Sequence, residues 1–428
     1  MIDETLLKKI YYPVTVVWLL ILLSTTYLYI RQRKSPVIRY RSVTLSLLMV
    51  IGNALVTTLY LGREPTINQF PCFLSLWISS VGIPLWITSM AGRFARLAFL
   101  YRVSQAKLAV EHQEHEPHCV NIENSEKDDN SLPTLNENWY FKHRNKFTTK
   151  YMLKWIGGAV ALQVVLTILV QIFTTKFRIS PMAAGNCLIG WEFIPIYSTS
   201  AIYVLVICPI FLSWIRGVED VYGIKRELIA DLTLGITAFI LYAIFLMLPS
   251  LEDVLLKFPA AHWSVVAFVL SHLISIVLPT IDAMRGTRQP KVRSNMATFE
   301  SILEDPQQFE VFKRFSLRDF TVENALFYEQ MMRFRVLCND QEGGKESMSN
   351  QVLLEISSIY NQFMLQGAEL QLHVDEEILN EIQYRFQAQD ISPDIFDKAL
   401  AQVRNIMFHH TYPRFVREGQ TRLRETGI

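Results

Sequence analysis

Metal-ligating side chains lie close together in one polar stretch of the chain, residues 111–138. Imidazole and thiolate groups are ligands that zinc prefers, but a structural zinc site needs a folded turn to hold them in a tetrahedral arrangement. This stretch is acidic and poor in aromatic residues, which is typical of a disordered segment. We therefore predict no metal site and no cofactor. The side chains concerned are His112, His115, His118 and Cys119.

An acidic residue and an amide stand side by side in RDFTVENALFYEQ, residues 318–330. Thr321 is a good helix N-cap residue, and Glu323 follows it in the first turn, where the helix dipole favours a negative charge. One interpretation of Glu323 and Asn324 is purely structural, with each contributing a few tenths to about 1 kcal/mol. The alternative is a polar pair presented to a protein partner.

Motifs and charge exclude several functional classes. The chain has no Gly-rich loop and no HRD-like catalytic loop, so it is not a protein kinase. Its formal charge is +1, and residues 297–428 carry 21 acidic and 13 basic side chains, a net charge of −8. Because no basic tract with interleaved aromatic residues is present, we also discount nucleic-acid binding.

Long apolar runs fill the first two-thirds of the chain. A bilayer core of ~30 Å needs roughly 20 apolar residues in a helix. The first run is a poor signal peptide, because it is long and no cleavage site follows it before Arg31. We predict seven membrane-spanning helices, at Pro13–Ile30, Val43–Leu61, Cys72–Ala91, Trp155–Phe173, Phe193–Trp214, Ala230–Leu248 and Trp263–Ile281.

The distribution of Lys and Arg between the connecting segments predicts the orientation of these spans. Segment 31–42 carries five basic residues, whereas segment 62–71 carries one. Segment 215–229 carries three against one in 249–262, and four more follow the last span. Basic segments stay on the cytosolic side. The N-terminus is therefore predicted outside the cell and the C-terminus in the cytosol.

Two of the five cysteines fall on the exterior side of this topology. Cys72 opens the third span and Cys187 lies in the loop after the fourth, where oxidising conditions would let them pair; two unrelated thiols are the alternative. The span number, the orientation and these cysteines resemble a G-protein-coupled-receptor-like protein, which implies a Cys72–Cys187 disulfide. The chain departs from that pattern in lacking DRY after span three (GRFARL, 92–97) and NPxxY in span seven (LPTID, 278–282).

Polar side chains within the predicted spans are candidates for a ligand site. Unpaired polar groups are costly in lipid, so each forms an interhelical hydrogen bond or contacts a ligand. Interhelical bonding is the simpler interpretation; His272 is the best candidate for contact with an extracellular small ligand. The spans are expected to lack deep charges, which argues against ion-coupled transport. The side chains concerned are Asn53, Gln163, Gln171 and His272.

Beyond the spans, the apolar residues follow the period of amphipathic helices. The stretch TFESILEDPQQFEVFKRF (298–315) predicts an amphipathic helix with a turn at Asp305-Pro306, and 322–334 is apolar nearly all round, as in a central helix. Ser392-Pro393 predicts the start of a helix over 394–407. No strand alternation is present. The predicted fold class is all-α: a seven-helix transmembrane bundle followed by a cytosolic helical bundle.

The cytosolic bundle is similar to a regulator of G-protein signalling (RGS) domain. The resemblance rests on residues 298–315 together with LRDFTVENALFYEQMMRFR (317–335), IYNQFM (359–364), PDIFDKALAQVRNIM (393–407) and TYPRFV (411–416). The entire chain resembles the seven-transmembrane RGS fusion proteins of plants and some fungi. The predicted divisions are a receptor-like domain at 1–283 with a disordered cytosolic loop at 103–150, a basic linker at 284–296, the RGS domain at 297–417 and a tail at 418–428.

The resemblance implies a regulator at the plasma membrane that binds the switch regions of an active G-protein α subunit (Gα) and accelerates its GTP hydrolysis. It would act as a GTPase-activating protein without catalytic residues of its own. His373 and His410 stand where the family usually has other residues, so a scaffold that binds without accelerating hydrolysis is an alternative, and a transporter with a regulatory tail is another. The implied Gα-binding residues are Asp319, Glu323, Asn324, His373, Ile406, His410 and Arg414.

Overall fold

The computed structural model describes residues 4–115, 139–180, 182–184, 190–247, 259–288, 295–341, 350–366, 368 and 370–425. Within these ranges the regular structure is helical, and a single isolated bridge pairs Pro71 with Ala184. The chain divides into two compact units. The first consists of Met1–Phe99, Arg144–Val218 and Tyr222–Arg288, and the second of Leu100–His143, Glu219–Val221 and Gln289–Ile428.

The first two-thirds of the chain forms eleven described helices, and the apolar stretches of the long ones match the sequence windows. They are α1 (Glu4–Arg31), α2 (Pro36–Arg39), α3 (Val43–Arg63), α4 (Cys72–His115), α5 (Trp139–Lys142), α6 (Thr149–Phe173), α7 (Ile194–Ile202), α8 (Cys208–Trp214), α9 (Ile224–Met247), α10 (Ala261–His272) and α11 (Leu278–Arg288). A π-helical turn joins α7 to α8, and another joins α10 to α11.

Seven stretches of the described chain are long and apolar enough to cross a membrane, which confirms the predicted number of helices. Each overlaps one predicted window and extends it at one or both ends. They are Thr5–Arg31, Val43–Thr66, Cys72–Ala109, Thr149–Phe173, Trp191–Trp214, Ile224–Phe245 and Ala261–Arg285.

Small residues allow two of these helices to approach closely. A Cβ atom added at Gly52 of α3 would lie 2.7 Å from the carbonyl oxygen of Gly82 in α4 and 2.9 Å from the backbone nitrogen of Trp86. Glycine at such positions lets helix backbones pack against each other in an apolar bundle. The contact therefore fixes α3 against the middle of α4.

Three buried charged side chains lie at the margins of the predicted spans, with Asp231 as the second residue of Ala230–Leu248 and both Glu227 and Arg93 outside the predicted windows. Glu227 and Asp231 of α9 and Arg93 of α4 are all buried. Glu227 forms ion pairs with Arg93 and, at 2.7 Å, with the Nε atom of Arg41. Arg93 also donates a 2.9 Å hydrogen bond to Ser275, whose hydroxyl donates to Asp231. Glu227 and Arg93 thus compensate each other's charge inside the bundle, and Asp231 accepts a hydrogen bond from a hydroxyl.

The four polar side chains singled out in the sequence do form contacts between segments of the first unit. The Asn53 amide donates to the Phe268 carbonyl over 2.5 Å, and the Thr199 hydroxyl donates to Gln163 over 2.9 Å. Trp77 donates to Gln171 over 3.1 Å, and His272 Nε2 lies 2.8 Å from the Thr25 hydroxyl.

The C-terminal bundle is built from α12 (Met296–Glu304), α13 (Pro306–Arg318), α14 (Val322–Gln341), α15 (Asn350–Ile359), α16 (Glu376–Gln387), α17 (Asp397–Ile406) and α18 (Tyr412–Glu425). Asp305 separates the first two, and its carboxylate accepts from the backbone N–H of Gln307 over 2.9 Å. The predicted central helix is confirmed as α14, and the bundle core includes Phe299, Phe312, Phe327, Phe334, Phe363 and Phe396.

Several predicted boundaries differ from the structure. Helix α4 continues to His115, and α5 and the start of α6 also lie within 103–150, so most of the described part of the predicted disordered loop is helical. Helices α11 and α12 shorten the predicted linker 284–296, and α18 continues to Glu425 in the predicted tail. Helix α17 begins three residues later than predicted, because the Ser392 hydroxyl bonds to Asp394 and residues 393–396 form a turn.

Candidate protein-interaction surface

The segment between α13 and α14 is held in one conformation by a helix C-cap. Phe320 has φ = +56°, a left-handed conformation rarely adopted by bulky residues. Its N–H donates to Leu317 over 3.3 Å, and the N–H of Thr321 donates to Ser316 over 2.9 Å. These two bonds form a Schellman motif with Phe320 at the position where glycine is usual. Because Phe320 is buried, packing compensates for the conformational cost.

A buried ion pair joins this segment to the last helix. Asp319 is 0% exposed, and the Arg414 Nε atom donates to its Oδ1 over 2.8 Å while Nη2 donates to Oδ2. The Thr321 hydroxyl donates to the same carboxylate over 3.2 Å and lies 3.3 Å from the Thr411 hydroxyl. Asp319 and Arg414, both predicted to contact a partner, therefore bind each other. The buried Asp319 carboxylate also holds the segment between α13 and α14 through its hydrogen bond with Thr321.

Glu323 and Asn324 lie in the first turn of α14, directly after this cap. They are 9% and 7% exposed. The Nζ atom of Lys107 lies 3.6 Å from Glu323 Oε2, and both residues belong to the second unit. Glu323 is therefore already engaged by a cation from the C-terminal part of α4, where the sequence had predicted a disordered loop.

The stretch 406–414 supplies the other side of this surface. Ile406 is half-buried and His410 is exposed, one at the end of α17 and the other in the following π-helical turn. Partial burial lowers the pKa of His410 below its usual value, and the neighbouring Arg414 lowers it further. His410 is therefore predominantly neutral at pH 7. The 318–324 and 406–414 stretches together form what we call the cap surface.

His373 lies in the loop before α16 and is exposed. That loop is tied to α17, since the N–H of Asp375 donates to the Gln402 side chain over 3.0 Å. Among the described contacts, none links His373 to the residues of the cap surface. The structure thus brings six of the seven predicted partner-binding residues into two adjoining stretches and leaves His373 apart from them.

Sequence reasoning missed two residues that shape the cap surface. Lys107 gave no signal, because residues after 102 were assigned to a loop. Arg318 bridges Glu418, at 2.6 Å, and Glu219, at 3.1 Å, and neither partner could be inferred from spacing along the chain.

The structure describes only some residues of the predicted disulfide and of the His/Cys cluster, and it describes His272 of the candidate ligand site. Cys187, His118 and Cys119 lie outside the described residues, so the Cys72–Cys187 disulfide stays a prediction. The N–H of Cys72 donates to the Ala183 carbonyl over 3.0 Å, which places Ala183 at the start of α4. His272 is 2% exposed and packs its ring edge-to-face against Trp18, in addition to its contact with Thr25.

Comparison with known proteins identifies the C-terminal region. Residues 298–419 match the family model described as "Regulator of G protein signaling domain", and the seven long apolar helices lie outside this match. An RGS domain therefore occupies the C-terminal part of the chain, and the helices of the C-terminal bundle form it.

Curated relatives match over the same part of the chain. It is 27% identical over 132 residues to "Regulator of G-protein signaling 14" of Mus musculus, a match that covers 31% of this chain and 22% of that protein. It is 25% identical over 145 residues to "Regulator of G-protein signaling 12" of Homo sapiens, covering 33% and 9%. For "Regulator of G-protein signaling 10" of Homo sapiens, 29% identity over 122 residues covers 28% and 60%. The chain spans about a fifth or less of the length of the first two.

Proposed function

We propose that this chain, whose residues 298–419 form an RGS domain, is a membrane-tethered regulator of heterotrimeric G-protein signalling. The family match over a complete helical bundle is the observation that carries the proposal. The RGS domain faces the cytosol of the plasma membrane, the N-terminus is extracellular, and the seven apolar helices cross the bilayer. The receptor-like domain comprises residues 1–283, and the Cys72–Cys187 disulfide closes its exterior side.

The domain acts on Gα by binding and supplies no catalytic group. Hydrolysis of GTP by Gα depends on positioning and on charge stabilisation in the transition state. A partner accelerates such a reaction only if it binds the transition-state shape better than the ground state. The RGS domain therefore holds the switch regions of Gα in that shape.

The cap surface is the part of the domain that meets the switch regions. Glu323 and Asn324 present carboxylate and amide groups, while Ile406 adds an apolar contact and His410 a neutral ring beside them. Arg414 fixes the geometry through Asp319, which is fully buried. His373 contacts Gα from the separate loop before α16.

Tethering is useful because it confines the domain to the surface where lipid-anchored Gα is found. Confinement raises the effective concentration of one partner for the other without any new contact. The net charge of −8 on residues 297–428 gives no electrostatic attraction to an anionic leaflet. The seven spans therefore attach the RGS domain to the membrane. A ligand bound among the spans would control the action of the domain on Gα.

The proposal is tested by the state dependence of Gα binding. The full chain in lipid nanodiscs should bind Gα carrying GDP and aluminium fluoride, which mimics the transition state, more tightly than Gα carrying GDP alone. Biolayer interferometry of both states gives the ratio of affinities. Equal affinity for the two states would contradict the proposal.

A binding-only scaffold is the second candidate, and His373 and His410 favour it. Both stand where the resemblance implies other side chains at the Gα interface. In that case the chain would bind Gα but leave its rate of GTP hydrolysis unchanged. Substituting both residues, His373→Asn and His410→Asp, would then create acceleration that the natural chain lacks.

A further inference from the structure

Basic side chains are concentrated at the start of α6, in residues 144–154 of the first unit. This stretch contains Arg144, Lys146, Lys150 and Lys154, all of which are exposed, and no Asp or Glu occurs from residue 139 to residue 191. Among the described residues, no carboxylate forms an ion pair with any of the three lysines. The stretch therefore presents four positive charges and no negative one.

Contacts with α3 and α4 determine which side of this stretch faces outward. Met152 and Ile156 of α6 are buried and pack in one cluster with Leu45 of α3. Phe147, just before α6, stacks on Phe99 of α4, with ring centroids 4.5 Å apart and ring planes inclined by 9°. The apolar side of the stretch therefore faces the bundle, and its lysines face away from the bundle.

The start of α6 is fixed without any ligand. The N-cap residue Thr148 accepts a hydrogen bond from the N–H of Tyr151 over 3.4 Å, and Arg96 of α4 donates to the Thr149 hydroxyl over 3.1 Å. Lys150 and Lys154 are four residues apart, so they lie one above the other on the same helix face. A ligand would thus meet a preorganised backbone and would not have to order it.

Aromatic side chains indicate where this end of α6 meets the lipid headgroups. Tyr151 and Trp155 are 47% and 46% exposed, and such residues are enriched at the membrane–water interface. At a rise of 1.5 Å per residue, α6 measures about 27 Å from Trp155 to Phe173, which is close to the ~30 Å of a hydrocarbon core. The basic residues before Trp155 therefore lie at the level of the headgroups.

The charge of the stretch determines which lipid it suits. Clusters of about 4–8 Lys and Arg residues next to a span are typical of sites for anionic lipids. Phosphatidylserine brings one net negative charge, whereas a phosphate monoester carries about −1.5 to −2 at pH 7. One phosphoinositide with two phosphate monoesters therefore balances the four positive charges, which would otherwise need several molecules of phosphatidylserine.

We propose that the start of α6 binds a phosphoinositide of the cytosolic leaflet, with Lys146, Lys150 and Lys154 contacting its phosphate groups. The acyl chains lie beside Tyr151 and Trp155. This binding goes beyond the proposed action on Gα, and it rests on the proposed orientation of the spans. A lysine near an anionic membrane surface contributes about fivefold in affinity.

The test uses the full chain in non-ionic detergent and dioctanoyl phosphatidylinositol 4,5-bisphosphate with a fluorophore on one acyl chain. Fluorescence anisotropy measures the binding. Dioctanoyl phosphatidylserine should bind at least about tenfold more weakly, because it brings fewer charges. Inositol 1,4,5-trisphosphate, which has the phosphates without acyl chains, should also compete more weakly and so distinguishes a lipid from a free phosphate compound. Equal affinity of either molecule and the bisphosphate lipid would overturn the proposal.

Variants locate the binding at α6. Lys150→Gln combined with Lys154→Gln should weaken binding of the bisphosphate lipid about ten- to thirtyfold. The matched control is Arg33→Gln combined with Lys34→Gln, which removes two exposed charges from the turn after α1, on the same side of the proposed topology. The control should change the affinity by less than about threefold, because these residues are not on a preorganised helix face.

Equal losses in the two double variants would show general attraction between a basic surface and an anionic lipid, and would refute the proposal. An undiminished affinity of the α6 variant would also refute it. If the α6 double variant does not fold, as judged by circular dichroism, Lys150→Gln alone should lose about fivefold. Because Gα is absent from this assay, failure here is distinguishable from failure of the GTPase tests.

Discussion

The ion pair between Asp319 and Arg414 explains how distant residues of the cap surface keep their geometry. Asp319 is the C-cap residue of α13 and Arg414 lies on α18, so the pair joins two residues that are 95 positions apart in the chain. The family resemblance alone implied that both residues lie at the interface. They could not reveal that the two side chains bind each other, because that depends on the packing of α18 against α13.

Replacing Arg414 should cost stability as well as Gα affinity. Removing one partner of a buried pair is costly because the remaining charge stays desolvated. Arg414 is itself 20% exposed, so we expect a loss of about 2–4 kcal/mol for Arg414→Ala rather than the upper end of the range. Urea denaturation of fragment 295–428 measures the loss. Arg335→Ala, which breaks an exposed pair with Asp397, is the control and should cost less than about 1 kcal/mol.

His410 gives the cap surface a dependence on acidic pH. Its pKa lies below the usual 6.5, so the neutral ring is favoured in the folded state. The associated stability is complete above pH 6.5 and is lost as the pH falls, because the unfolded chain then takes up protons more readily. The charges that act on the ring are those of Arg414, His409 and Asp319.

Gα affinity should therefore be constant between pH 7.0 and 7.5 and should change only as the pH falls below about 6.5. His410→Gln should remove the part of that change due to this ring, whereas His409→Gln, at the adjacent exposed position, should retain it. Affinity measured by interferometry from pH 5.5 to 7.5 tests this. An identical pH profile for natural chain and His410→Gln would contradict it.

At the level of helices, α4 departs furthest from expectation. The sequence predicted its end near Ala91 and a disordered loop from 103, yet the helix continues to His115. The polar composition of residues 103–115 led to the wrong prediction, because composition alone does not distinguish an exposed helix from a loop. Its Lys107 lies against Glu323.

The proposed contact of Gα with Glu323 requires displacement of Lys107, so removing this lysine should strengthen Gα binding. The two side chains are 16% and 11% exposed, and such a pair is worth up to about 1 kcal/mol, or about two- to fivefold in affinity. Lys107→Ala should show that gain. Lys398→Ala, which removes a lysine paired with Glu381 elsewhere on the domain, should not. Weaker binding by Lys107→Ala would show that the lysine belongs to the interface.

Helix boundaries show which parts of the fold local sequence could predict. Asp305-Pro306 marked the turn between α12 and α13, and Thr321 marked the start of α14, because turn and N-cap preferences are local. The Schellman motif at Phe320 was missed, since glycine is the usual signal for that position. Its left-handed backbone persists because burial of the ring outweighs a strain of about 1–3 kcal/mol.

For the whole molecule, hydropathy predicted seven long helices because each needs an apolar run of sufficient length. Hydropathy could not predict the ion pairs of Glu227, because hydropathy is calculated along the chain. The partners of Glu227, Arg41 and Arg93, lie in other segments of the sequence. The RGS bundle was identified from motifs that lie along its whole length, and the match over 298–419 confirms that identification.

The central claim is that this chain accelerates GTP hydrolysis by Gα, and single-turnover hydrolysis tests it most directly. Gα loaded with GTP is mixed with the full chain in nanodiscs, with the Asn324→Ala chain, or with empty nanodiscs. We predict that the natural chain increases the hydrolysis rate constant and that Asn324→Ala loses most of this increase while the RGS domain keeps its melting temperature. A rate constant equal to that with empty nanodiscs, for every Gα of the native cell, would contradict the account.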